Sequence, residues 1–249
     1  MNAKVFLKCF IVGIVLCMCT FGFLYWEGII VVKNSLDKKY SVKGIDVSHY
    51  QGEIPWEKVK DDMNIKFAFI KATEGSNYVD ENFAENWENS KKSGLYVGAY
   101  HFFSFDSPGK KQAKNYIEIV KKREKMLPPV VDVEYYADKF SNSPKVSELR
   151  TELDDFLYEI EEAYGCKPII YTTASVYAKY INEYFNGYPL WIRNVYYRPL
   201  MLKNRQWTFW QYSESEPWPY KKKGTEICVD MNVFAGNYKS FLRYFNLEE

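Results

Sequence analysis

Histidine is nearly absent: two in 249 residues, with no HExxH or CxxC spacing anywhere, which argues against a histidine-built metal centre. Cysteine is almost as scarce. Of five, Cys9, Cys17 and Cys19 fall in one apolar run, leaving Cys166 and Cys228 for the rest of the chain. Two cysteines do not make a disulfide scaffold, and their spacing does not say whether they pair. Net charge is also missing. Thirty-three Lys and Arg stand against 32 Asp and Glu, a formal +1, so the basic surplus that nucleic-acid binding needs is not there. Charged residues at 26% exclude a polytopic membrane protein and a disordered tail, and no internal repeat or low-complexity segment occurs. Aromatics are abundant: 22 Tyr, 17 Phe and 7 Trp, or 18%. Such a supply suits the stacking of sugar rings and equally suits a Tyr-heavy core.

The one long apolar run is Cys9 to Trp26, without a charge and preceded by Lys4 and Lys8. Its length just spans a hydrocarbon core of about 30 Å as a helix. Lysines on the leading side predict a cytoplasmic N-terminus and export of everything that follows. The run lacks a clean A-x-A site, which favours an uncleaved signal-anchor over a cleaved signal peptide. The expected organisation is therefore residues 1–34 as a membrane segment with its linker, and 35–249 as an exported domain.

Within that domain short apolar runs alternate with amphipathic stretches. Strands are expected at 43–48, 66–72, 95–102, 129–134, 168–172, 189–194, 207–212 and 227–233. The near-continuous apolar content of 67–70 and 130–133 suits strands buried on both faces, as in parallel sheets. Between them, Ser143-Pro144 is read as an N-cap and first-turn proline, with Gly165 as the stop. Val146, Leu149, Leu153, Leu157, Ile160 and Tyr164 then form one packing stripe. Ser107-Pro108 opens a second helix carrying Ala113, Tyr116, Ile117 and Val120, and Phe83 and Trp87 mark a third that ends at Gly94. Eight strands alternating with helices point to a closed α/β barrel of the TIM type. The gaps 195–206 and 213–226 are too short for crossover helices, so the last part of the barrel should be irregular.

Carboxylates recur where these strands finish: Asp46 in GID, Asp132 and Glu134 in PVVDVE, Asp230 in ICVD, with Glu74 after the second strand. Residues i and i+2 of a strand share a face, which places Asp132 and Glu134 together with Cα atoms roughly 6–7 Å apart. Two crowded carboxyls cannot both ionise freely, so one is held as an acid near neutral pH. Glycoside hydrolysis needs that equipment, a protonated carboxyl and a group facing an oxocarbenium-like centre. A single strand-end Asp is commonly a helix cap. Four converging on one barrel face are not explained that way, although a Mg²⁺ or Ca²⁺ site also uses clustered carboxylates.

Longer motifs narrow the choice. GIDVSHYQGEIPWEKVK, FAFIKATEGSNYVDENFAENWENSKKSGLYVGAYHFF, PPVVDVE, PLWI, WTFWQYS and VDMNVFAG, in that order from about residue 43 to 236, resemble the glycoside hydrolase family 25 lysozymes, the muramidases. The resemblance implies an irregular β/α barrel that cleaves the β-1,4 bond between N-acetylmuramic acid and N-acetylglucosamine in peptidoglycan. It implies Glu134 as general acid, with Asp132 orienting the substrate acetamido group or stabilising the cation, and Asp46 and Asp230 tuning both. It also implies a sugar cleft lined by Tyr100, Tyr171, Trp191, Trp210 and Gln211. His49 and His101 fall in the same motifs and are read as structural. The chain departs from the family pattern at LWIRNVYYRP, where Arg193 or Asn194 would alter the subsites. No cofactor and no metal are expected. The expected partners are peptidoglycan strands and, through the N-terminal helix, a membrane, with no nucleic acid and a monomeric state. Two alternatives stay open: a catalytically silent glycan-binding barrel, and a hydrolase of chitin-like polymers.

Overall fold

The computed structural model describes residues 3–26, 40–196, 198–199, 205–220 and 225–247. Eight strands close on themselves: β1 (Lys43–Val47), β2 (Phe67–Glu74), β4 (Tyr96–Phe102), β5 (Val130–Val133), β6 (Ile169–Thr173), β7 (Leu190–Arg193), β8 (Phe209–Pro217) and β9 (Cys228–Phe234). A two-residue strand, β3 (Tyr78–Val79), hangs on the end of β2. Pairing is parallel from β1 through β2, β4, β5, β6 and β7 to β8, and antiparallel on both sides of β9. All eight expected strands are present. The antiparallel closure follows from the short last gap. A hairpin can bridge it, whereas a parallel return needs a crossover of a dozen or more residues.

Helices α2 (Trp56–Asp62), α3 (Phe83–Asn89), α4 (Gly109–Ile119) and α5 (Val146–Tyr164) pack outside the first half of the ring. α6 (Ala174–Val176) runs into a π turn ending at Ile181, and α7 (Tyr238–Tyr244) follows β9. Among the described residues the β7–β8 and β8–β9 connections contain no helix. Leu149, Leu153, Leu157 and Ile160 are buried as the α5 stripe requires, and Gly165 ends the helix in the left-handed region (φ 70°). The start of α5 differs from expectation. Pro144 spends its carbonyl on the Tyr180 hydroxyl (2.9 Å), and the first helical bond comes from Leu149 N–H to Lys145 O (3.1 Å). Ser143-Pro144 therefore precedes the helix instead of capping it.

Strand alternation divides the apolar residues into two sets. Ala68, Ile70, Val97, Ala99, Val131, Val133, Ile170 and Ile192 face the helices. Phe67, Phe69, Val130, Ile169, Tyr171, Trp191, Phe209 and Phe234 face inward, and Phe241 and Leu247 close the barrel beneath them. Two interior positions have no side chain. A Cβ on Gly44 would meet the Phe67 ring at 2.4 Å, and one on Gly98 the Phe69 ring at 2.5 Å. The glycines thus leave room for two phenyl rings side by side in the floor, 5.9 Å apart.

Residues 3–26 form a separate helix, α1 (Ala3–Trp26), in a compact unit Met1–Lys33 distinct from Asn34–Glu249. Its side chains Leu7, Phe10, Ile11, Val12 and Leu16 are exposed. Among the described residues no helix is long and apolar enough to cross a membrane, so the transmembrane expectation gains no support there. The expected linker, 27–34, lies outside the described residues.

Candidate active site

The barrel mouth opens above the aromatic floor as a cleft of about 240 Å³, lined by Asp46, Tyr100, Asp132, Glu134, Tyr171, Trp191 and Asp230, with Lys71, Phe102 and the Ser48–Gln51 turn at its edges. Asp132 lies in β5 and Glu134 directly follows it. Neighbours pin this segment: the Phe103 N–H donates to Asp132 O (2.9 Å), and the Thr172 hydroxyl donates to Val133 O (2.8 Å). The two carboxyls are fixed by backbone that cannot slide.

Opposite them, Asp46 and Asp230 are direct cross-strand partners in β1 and β9. Asp230 is not at the end of its strand, as expected, but near the start. It reaches the mouth because β9 runs against the other seven. Asp46 is anchored by two amides, Asn232 Nδ2 at 2.7 Å and Gln211 Nε2 at 3.2 Å, both on Oδ2. Each amide is itself oriented: Trp191 Nε1–H donates to Asn232 Oδ1 (2.9 Å), and the Tyr171 hydroxyl donates to Gln211 Oε1 (2.7 Å). Two buried rings thus fix two amides, and the amides fix one carboxyl.

Burial sets the protonation of the cluster. Asp132 is held well above the usual carboxylate range by loss of water and then by the charges of Glu134 and Asp46. Glu134 is raised by burial, with Arg193 pulling it back down. Burial and the neighbouring Asp230 push Asp46 well up, while burial lifts Asp230 to about 6, against the hydrogen bond it receives from Asp46. Tyr100 and Tyr171 are raised far above their ordinary value by burial and the surrounding carboxyls, so both stay neutral hydroxyls.

Asp46, Asp132, Glu134, Asp230, Tyr100, Tyr171 and Trp191 therefore share one cleft, and Gln211 stands behind it. Trp210 does not join them. It lies between the inward Phe209 and Gln211, so alternation turns it outward, where it is 2% exposed, packs on Tyr40 and Trp207, and donates Nε1–H to Asn194 O (2.8 Å). Both histidines sit in structural bonds. His101 is buried between Thr73 Oγ1 (2.7 Å) and Gln112 Oε1 (3.1 Å), with burial lowering it to about 3, and His49 Nδ1 meets Asp80 Oδ2 at 2.9 Å. Cys166 and Cys228 are free and exposed. Among the described residues no group of three or more His, Cys, Asp or Glu side chains could hold a metal ion.

Sequence patterning passed over Lys71 and Asn232. Asn232 is two residues from Asp230, so the same alternation rule applied once more would have found it. Lys71 is two residues from the inward Phe69. It is 13% exposed, bonds Glu74 at 2.7 Å and lies 5.0 Å from the Phe102 ring centre.

Comparison with known proteins places this geometry in a family. A structure from Bacillus anthracis described as a family 25 glycosyl hydrolase is 43% identical, with a TM-score of 0.80, over 87% of this chain and 99% of that one. A bacterial lysozyme structure from Streptomyces coelicolor is 33% identical with a TM-score of 0.72, covering 85% of this chain and 99% of that one. Lysozyme M1 of Streptomyces globisporus is 33% identical over 216 residues, 82% of this chain and 71% of its own. The family profile described as Glycosyl hydrolases family 25 matches residues 45–220, which takes in most of β1 and all of β2 and of β4 to β8. With its carboxyl-lined barrel mouth, the chain belongs to glycosyl hydrolase family 25.

Proposed function

We propose that the protein is a peptidoglycan N-acetylmuramidase that hydrolyses the β-1,4 bond between N-acetylmuramic acid and N-acetylglucosamine, with Glu134 as general acid. The observation that carries this is the placement of Asp132 and Glu134 on one side of an aromatic-floored cleft, facing the cross-strand pair Asp46 and Asp230. Glu134 is only partly enclosed and is raised by burial, which favours its acid form while leaving it within reach of a leaving oxygen. Asp132 is 8% exposed, and its Oδ1 has no hydrogen-bond partner among the described residues. A buried acceptor left open in this way is suited to the acetamido N–H of a bound sugar, which would fix the ring over Glu134. The Asp46–Asp230 pair stands opposite, where a carboxylate would face an oxocarbenium-like centre. The lysozyme names of the two Streptomyces relatives support the substrate class.

The test is digestion of purified peptidoglycan by wild type and by Glu134→Gln, with released fragments reduced and read by mass spectrometry. Reducing-end N-acetylmuramic acid from wild type alone is the expected result. Reducing-end N-acetylglucosamine would assign the wrong bond. Retained glycan binding with no release would point to a silent binding barrel.

The barrel would act outside the cytoplasm, tethered at the membrane by residues 1–26. Support comes from Lys4 and Lys8 ahead of an uncharged run that is helical in α1. Alkaline phosphatase joined after residue 249 should be active and membrane-associated; an inactive, soluble fusion would end this reading.

A further inference from the structure

The cleft is acidic, yet N-acetylmuramic acid differs from N-acetylglucosamine by an acidic 3-O-lactyl arm, whose carboxyl is either free or extended by a peptide that carries further carboxylates. An anionic ligand approaching four carboxyls needs a cation to meet it. The cations that act on those carboxyls are Lys71, on Asp132 and Glu134, and Arg193, on Glu134 and Asp230. Lys71 is engaged by Glu74 and covered by the Phe102 and Tyr78 rings. Arg193 is different. It ends β7 two residues beyond Trp191 on the same strand face, so it stands at the rim directly above a ring that lines the cleft.

Its partner is Glu214 of β8, and both are accessible, with 29% and 45% of their side-chain surface exposed. Arg193 Nε (3.1 Å) and Nη2 both reach Glu214 Oε2. An ion pair this exposed contributes little to the fold and exchanges readily.

We propose that Arg193 is the docking point for a carboxylate on the 3-O side chain of the muramic acid residue, with Glu214 the internal partner which that carboxylate displaces. The inference rests on the muramidase reading and names its specificity determinant. Arg193 makes the cleft prefer an acidic glycan over a neutral, chitin-like one. Arg193 also lowers Glu134, which gives the same residue a second readout in hydrolysis.

The test is calorimetric binding of N-acetylglucosaminyl-N-acetylmuramic acid to the full chain. The comparison ligands are the same disaccharide with its lactyl carboxyl converted to the methylamide, and the disaccharide bearing a short peptide that ends in D-glutamate. Wild type should bind a carboxylate form roughly tenfold more tightly than the amide, the size of one charge-assisted hydrogen bond. The arm that shows the preference tells a free lactyl carboxylate from one on the peptide. Arg193→Met should reduce the ratio to near one, and Glu214→Gln should enlarge it by releasing the guanidinium. In hydrolysis, Arg193→Met should carry the alkaline limb of the pH profile upward, because Glu134 loses the cation that lowers it. No preference in wild type, or the same ratio in Arg193→Met, overturns the proposal. Binding is read without turnover, so a protein that shows the preference but releases no reducing ends would sink the muramidase reading and leave this one standing.

Discussion

The floor and the mouth of the barrel are built on the same strands two residues apart, yet they obey opposite rules. In the floor, Phe67, Phe69, Phe209 and Trp191 pack ring on ring, with centroids 4.8–6.2 Å apart, and glycines make room for them. In the mouth, Asp46, Asp132, Glu134 and Asp230 crowd like charges where water is scarce. Each of them would be more comfortable neutral or absent. Stability resides in one layer and reactivity in the next, and the strand pleat keeps both in register. The mouth is tolerable because the floor is so well packed.

Breaking the mouth should give the largest effect on activity and the smallest on stability. Glu134→Gln is expected to lower kcat by about 10³-fold, the scale of a lost general acid, with Tm unchanged or higher because a crowded buried carboxyl is gone. A variant of wild-type turnover would refute the assignment. Breaking the floor should do the reverse. Phe69→Ala removes a buried ring that touches Phe67, Trp191 and Phe209, and should cost about 3–5 kcal/mol in denaturant unfolding while the molecules still folded keep the wild-type pH profile.

Asn232→Ala falls on the boundary between the layers. It strips partners from both Trp191 Nε1 and Asp46 Oδ2, so stability should fall by about 1–3 kcal/mol and activity should fall with it. A change in only one of the two readouts would mean that the layers are not linked through this amide.

The smallest effect is a pH slope. Asp230 has a folded-state pKa of about 6 against an ordinary 3.8, so the folded state holds its proton more tightly than the unfolded chain. The stability this confers is fully present below the ordinary value and is lost as pH rises through about 6. Relative to wild type, Asp230→Asn should therefore gain a few degrees of Tm between pH 4 and pH 7. A Tm difference that stays flat across that range would show that Asp230 is not strained in the folded state.

Much of this was legible in the residues. The eight strands announce themselves because buried parallel strands must be short continuous apolar runs, and Asp132 and Glu134 pair because alternation has period two. The same rule shows where reading went astray. Trp210 and Gln211 are adjacent, so they cannot both face the cleft, and the chemistry-bearing Gln211 is the inward one. Asp230 was found for the wrong reason, as the end of a strand that in fact begins there. Only the antiparallel return of β9, a property of the connection and not of the strand, puts it in the mouth. The bond between Pro144 and Tyr180 that delays α5, and the Arg193–Glu214 contact, join distant segments and have no local signature.

The ring is completed by its last strand, so the carboxyl that pairs across the sheet with Asp46 comes from the strand made last. A nascent or truncated polypeptide lacking β9 has no Asn232 to anchor Asp46 and no Asp230 beside it. The protein therefore carries its own timing. Its set of four mouth carboxyls is completed only when β9 joins the ring, so the mouth is assembled only as the barrel closes.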